Sequence, residues 1–144
     1  MSDLDFISFL KTLKPEDWNK MATKKWNVKD VVAHMIGWEK TDVEAIKTIW
    51  ETKSAAWWKN IENYNNFNTK EVKYYKNYTP EQLIIEWEMW QSKVQHEIDR
   101  IGYENLKSYP DLFDWLLEGM EDSKNNETNS HYMHHFQQIK KAIM

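Results

Sequence analysis

The chain contains no cysteine. That excludes disulfides, thiolate metal ligands and a cysteine nucleophile, so any metal must be held by histidine and carboxylate, and any thiol chemistry must use a thiol brought from outside. Glycine and proline are scarce, three of each in 144 residues, which leaves few interior breaks in long helical segments. There is no run of about 18 apolar residues for a membrane span, and the start Met1-Ser-Asp-Leu-Asp lacks the basic opening of a secretory signal. The expectation is a cytoplasmic protein with no membrane partner. Basic blocks are also missing, and the net charge is −4; both argue against a sequence-independent grip on nucleic acid. The lysines Lys53, Lys59, Lys70, Lys73 and Lys76 read as a solvated face.

What is abundant is tryptophan, with nine residues. Tryptophan buries a large area, so most of the nine belong to a core, with a partly aromatic pocket as the sharper alternative. At 41% hydrophobic content the chain can fill one core and is too short for two. Residues 1–144 are therefore read as a single domain.

The stretch from Trp26 to Glu39 organises the rest. Asn27 is a good N-cap, and Asp30, three positions on, can answer the free amides of the first turn. From Val28 the apolar positions Val28, Val31, Met35, Trp38, Ala45, Ile46 and Ile49 share one side of a helix reaching about Thr52. His34 lies at the edge of that stripe, one turn before Trp38. Asp42 falls near its middle, where a carboxylate needs a partner or a wet cavity. Gly37 marks either a local irregularity or a close helix contact.

Before this helix, residues 3–13 read as a short amphipathic helix, Pro15 either ending it or beginning a new turn, with Trp18 packing across the connection. After it, residues 53–78 read as an irregular crossing with a short helix at 69–76. Thr79-Pro80-Glu81-Gln82 is a clear helix start, followed by the stripe Leu83, Trp87, Trp90, Val94, Ile98 and Ile101, and stopped by Gly102. His96 falls opposite that stripe and reads as a surface residue. A short helix is expected at 110–118 and an exposed loop at 121–129. A last helix, capped by Thr128 or Asn129, has Tyr132, Phe136, Ile139 and Ile143 inside. The fold class is all-α: a four-helix bundle with short extra helices in the connections.

Histidine carries the candidate chemistry. His131 and His135 have the i,i+4 spacing that puts two imidazoles on one helix face. Five histidines scattered over this length give such a pair about one time in seven, so direction has to decide. His135 borders the inner stripe with His131 just beyond it, whereas His134 points away from the core. His34, His131 and His135 can then meet as three nitrogen ligands with open positions for water or substrate, a catalytic rather than a structural arrangement. No glutamate follows His131 in His131-Tyr132-Met133-His134-His135, so the zinc-protease helix with its built-in base is absent. Glu39, Asp42 or Tyr132 can serve as proton acceptor. Trp38, Asp42, Trp90 and Tyr132 are the candidate pocket residues. The competing interpretation is three hydrogen-bonded histidines at the margin of an ordinary core.

These residues resemble the DinB-like four-helix bundles, which include bacillithiol transferases, mycothiol-dependent maleylpyruvate isomerases and the ClbS/DfsB branch. Trp26-Asn27-Val28-Lys29-Asp30-Val31-Val32-Ala33-His34 through Trp38-Glu39 is similar to the family's opening motif, and His131 and His135 with Gln138-Ile139 to its closing motif. Phe67-Asn68 and Thr79-Pro80-Glu81 are similar to weaker features between them. The resemblance implies a divalent metal, nickel or zinc, on His34, His131 and His135. It also implies transfer of a low-molecular-weight thiol such as bacillithiol, or opening of a strained electrophile, at that metal. A homodimer and a small-molecule substrate are further expectations. Two other readings stand beside this enzyme, S-transferase or hydrolase: a non-catalytic protein that binds or sequesters a small molecule, and a structural dimer with a vestigial site.

Overall fold

A computed structural model of the chain describes residues 3–52, 64–106, 108 and 131–144. The expected helix at 110–118, the loop at 121–129 and the cap at Thr128 or Asn129 lie outside the described residues. So do Lys53 and Lys59 and the side chains of Ile49 and His131. The described residues are all-α: α1 (Asp3–Leu10), a 3-10 turn (Pro15–Asn19), α2 (Val28–Thr52), α3 (Tyr64–Tyr74), α4 (Pro80–Ile101), α5 (Tyr103–Leu106) and α6 (His131–Ile143). No strand occurs among them. A single bridge pair, Met21 with Asn27, closes the loop that leads into α2. No helix of the described residues is long and apolar enough to cross a membrane.

The two helix starts read from the sequence are built as capping boxes. Asn27 Oδ1 accepts from the Asp30 amide at 2.8 Å, and Asp30 Oδ2 accepts from the Asn27 amide at 3.2 Å. Thr79 and Gln82 do the same at the head of α4, at 3.1 and 2.8 Å. Each box satisfies two amides that have no partner inside the helix. Gly102 ends α4 at a φ of 95°, which favours glycine.

Two boundaries differ from the periodicity. α1 ends at Leu10 instead of reaching Leu13, because the chain tightens into i→i+3 bonds from Thr12 to Phe9 and from Leu13 to Leu10. Thr12 Oγ1 also bonds the Phe9 carbonyl, before Pro15 opens the 3-10 turn. α3 begins at Tyr64, five residues before the expected start, and ends at Tyr74. Asn65, Asn66 and Asn68 are poor helix formers, but packing of this segment on α2 overrides propensity.

α2 is the axis of the packing. It lies against α4, α3, the 3-10 turn and α6, while α1 lies against α4 and α6. Every residue from Val31 to Gly37 is buried, so the first half of α2 is covered all round, more widely than a one-sided stripe would be. Phe6 on α1, Trp87 on α4 and Tyr132 and Phe136 on α6 join three helices through ring contacts of 5.1 to 6.3 Å. Trp18 is buried in the same core, and the Trp87 indole N–H has no hydrogen-bond partner among the described residues.

Gly37 is a close-contact glycine, and α2 runs through it without a break. A Cβ there would meet Glu71 Cγ at 2.6 Å and Glu71 Cβ at 2.7 Å. The second of these is anchored to the α3 backbone and cannot swing aside. Gly37→Ala is therefore expected to destabilise the fold by about 1–3 kcal/mol, although alanine is the better helix former. Urea denaturation checks this; a stabilised variant would show that α3 does not press on α2 here.

Candidate functional site

The capping box at Asn27 fixes the start of α2, and His34 follows two turns later on the side facing α3 and α6. The loop ahead of α2 is held by Thr23, whose hydroxyl accepts from the Trp26 amide at 2.8 Å. This sets the Trp26 indole against His34, with ring centroids 5.0 Å apart and tilted by 36°. On α6, His135 sits between Tyr132 and Ile139, both buried. The two imidazoles meet edge to face, with centroids 5.0 Å apart, and both are buried.

Each ring nitrogen Nδ1 faces an amide oxygen. Asn68 on α3 places Oδ1 3.1 Å from His34 Nδ1. Gln138, one turn along α6, places Oε1 2.7 Å from His135 Nδ1. An amide oxygen only accepts, so Nδ1 carries the proton in both rings and Nε2 carries the lone pair. That is the tautomer in which Nε2 can bind a metal or accept a proton. Burial pushes the His34 pKa down to about 3, the nearness of His135 adding to the effect and the bond to Asn68 opposing it. Burial also lowers His135, to about 4; the Gln138 bond opposes the shift and the neighbouring His134 assists it. Both rings are therefore neutral at pH 7.

A second pair ties α2 to α6 beside the histidines. The Tyr132 hydroxyl donates to Glu39 Oε2 at 2.5 Å, and both side chains are buried. A buried carboxylate is tolerated only when it is hydrogen-bonded, and this places together two of the three acceptors considered from the sequence. The third, Asp42, is half-buried on α2 about two turns beyond His34.

Among the candidate pocket residues, Trp38 is half-buried, donates its indole N–H to Asn68 Oδ1 at 2.7 Å and packs on Phe67 at 4.5 Å. Trp90 lies elsewhere. It is half-buried on α4, donates to Glu86 at 3.0 Å and has Lys93 over its ring at 4.4 Å. It lines an open cavity of about 570 Å³ with Val43, Lys47, Met89, His96 and Glu97, and neither buried histidine borders that cavity. His96 is exposed, as expected. His134 is exposed too, but its Nε2 lies 3.2 Å from Gln138 Nε2 and so orients the amide that holds His135.

Of the three expected ligands, the structure thus brings together His34 and His135; the His131 side chain lies outside the described residues. Among the described residues, no three histidine, aspartate or glutamate side chains are grouped to hold a metal. The resemblance includes Asn68 and Gln138 among its motif residues, but nothing in the sequence assigns either amide to an imidazole. Their signal is weak for Asn68, 34 positions from its partner. It is stronger for Gln138, which stands at i,i+3 from His135.

The depressed histidine pKa values make stability pH-dependent. Both folded values lie below the unfolded value of about 6.5, so the unfolded chain takes up protons first as pH falls. The stabilisation is complete above pH ~6.5 and is lost towards the folded values. Metal-free protein is expected to lose about 1 kcal/mol per histidine per pH unit between pH ~6.5 and ~5, above the main carboxylate range. Urea denaturation across this window measures it, and His34→Gln should roughly halve the slope. A flat profile would mean that the rings are solvated and keep their ordinary pKa.

No protein-family model, curated protein or solved structure matches the chain.

Proposed function

We propose that this chain is a four-helix bundle of the DinB-like type that holds a divalent metal, nickel or zinc, on His34, His131 and His135. In this reading it is a metal-dependent enzyme, a thiol S-transferase or hydrolase acting on a small electrophile. The carrying observation is the pair of buried, neutral imidazoles that meet edge to face, each with Nδ1 engaged by an amide oxygen. The packing supports the bundle: α2 on α4, α4 on α1, α1 on α6 and α6 on α2 close a cycle of four helices.

The donor set fits such an ion. The imidazoles of His34 and His135, with centroids 5.0 Å apart, would hold the ion together with His131. Neutral nitrogen ligands without thiolate suit nickel or zinc. His131 stands one helical turn before His135 and on the same face, the spacing by which one helix offers two ligands.

When bound, the ion supplies the positive charge that brings the pKa of a thiol or water towards neutrality. The chain's own residues do the rest. Asn68 and Gln138 hold the Nδ1 protons and so fix both ring orientations. Glu39 holds the Tyr132 hydroxyl proton at a buried carboxylate, a hydrogen-bonded acid and base on the two histidine-bearing helices. Trp38 and Phe67, packed ring on ring at 4.5 Å, would offer an apolar electrophile an aromatic surface.

The test is titration of nickel and zinc into metal-stripped protein, with His34→Ala, His131→Ala and His135→Ala alongside. One equivalent bound by the parent, weakened at least about 100-fold in each variant, is the expected result and would direct a screen of thiols against electrophiles. If the parent binds none, or the variants bind as well, the enzyme reading falls. Retained small-molecule binding in His131→Ala would then favour the sequestering protein.

A further inference from the structure

We propose that Trp38 is a positioning residue for His34: its indole N–H locks the Asn68 amide in the one orientation that keeps the proton of His34 on Nδ1. The use of that tautomer for coordination rests on the metal reading above; the hydrogen-bond geometry does not. His34 and Trp38 stand one turn apart on α2 and present Nδ1 and Nε1 to the same oxygen, Asn68 Oδ1, at 3.1 and 2.7 Å.

The two contacts are not equivalent. An imidazole nitrogen can donate or accept, and an amide can turn either end towards it, so His34 and Asn68 alone leave two arrangements open. In one, Oδ1 accepts from Nδ1–H and Nε2 bears the lone pair. In the other, the amide NH2 donates to a bare Nδ1, and Nε2 is protonated and cannot coordinate. The indole removes the second arrangement. It has a donor and no acceptor, so a turned amide would set two N–H groups face to face in a half-buried contact. Phe67, packed on the Trp38 ring at 4.5 Å, keeps the indole edge aimed at Asn68. Trp38 therefore decides a proton position on a group with which its own polar atom makes no bond.

The test reads the tautomer directly, from long-range proton–nitrogen NMR of side-chain-labelled, metal-free protein at pH about 8.5, above the histidine range. In the parent, His34 is expected wholly as the Nδ1–H form. Trp38→Phe keeps a ring on Phe67 and removes the N–H together with part of the indole's volume, a loss of packing that the Asn68→Asp background shares. The amide then loses the donor-only partner that holds its oxygen end towards Nδ1, and the Nε2–H form should rise to a measurable fraction. Asn68→Leu, which keeps the indole and removes the acceptor, should also populate the Nε2–H form. In an Asn68→Asp background the carboxylate has no donor end, so adding Trp38→Phe should leave the Nδ1–H form intact. Zinc affinity should follow the same pattern, falling in Trp38→Phe by the factor by which the Nδ1–H fraction falls, about twofold where that fraction is halved, and unaffected by that change in the Asn68→Asp background.

A parent in the Nε2–H form overturns the proposal, as does a Trp38→Phe spectrum identical to the parent, or the same tautomer change in both backgrounds. If the tautomer moves as expected but the parent binds no zinc, the positioning role stands and the metal reading fails.

Discussion

Two imidazoles can be buried against one another only if both stay uncharged and each ring N–H finds an acceptor. The site between α2 and α6 meets both conditions by using amide oxygens. A carboxylate in either place would accept the same proton, but its charge would favour the imidazolium and raise the pKa. An amide accepts without that bias, so desolvation prevails and the rings remain neutral. The choice of Asn68 and Gln138 over acidic residues is thus what makes the pair a potential donor set rather than a buried ion cluster. Glu39, a carboxylate buried nearby, is engaged by the Tyr132 hydroxyl.

Helix packing brings these groups within reach. Gly37 lets α3 approach α2 until Glu71 occupies the space a side chain would need, and Lys40 holds the same glutamate by an ion pair at 3.0 Å. Asn68 lies three residues before Glu71, and His34 three residues before Gly37. The close approach and the hydrogen bond therefore fall within one turn of each other on both helices. The aromatic contacts of Phe6, Trp87, Tyr132 and Phe136 hold α6 on the other side. Displacement of α3 would cost His34 its acceptor, and displacement of α6 would part the two rings.

This division explains what the sequence discloses. The starts of α2 and α4 were legible because capping is local: Asn27 with Asp30, and Thr79 with Gln82, act within four residues. His34 and His135 were legible as inward residues because periodicity relates each to its own helix. The start of α3 was not, since Asn65, Asn66 and Asn68 read as loop residues and only packing on α2 makes them helical. Trp38 was legible as a large ring near the site but not as a hydrogen-bond donor, because its partner Asn68 is 30 positions away. Asp42 was placed mid-stripe by angle alone, yet it is half-buried, since α2 is enclosed most fully between Val31 and Gly37.

The two anchors also differ in what they require. Gln138 serves His135 from the same helix, at i,i+3, and is itself oriented by His134 at i,i+4. That half of the site is complete once α6 forms. Asn68 serves His34 from another helix, and the indole that orients it is on α2. That half exists only after α3 docks, and α3 docks where glycine removes the obstacle. The His34 side therefore depends on the tertiary fold and the His135 side on secondary structure. The stability of the α2–α3 contact then sets how well the whole pair is organised. Residues remote from the ring nitrogens, Gly37 and Phe67 among them, share in defining the site because they maintain that contact.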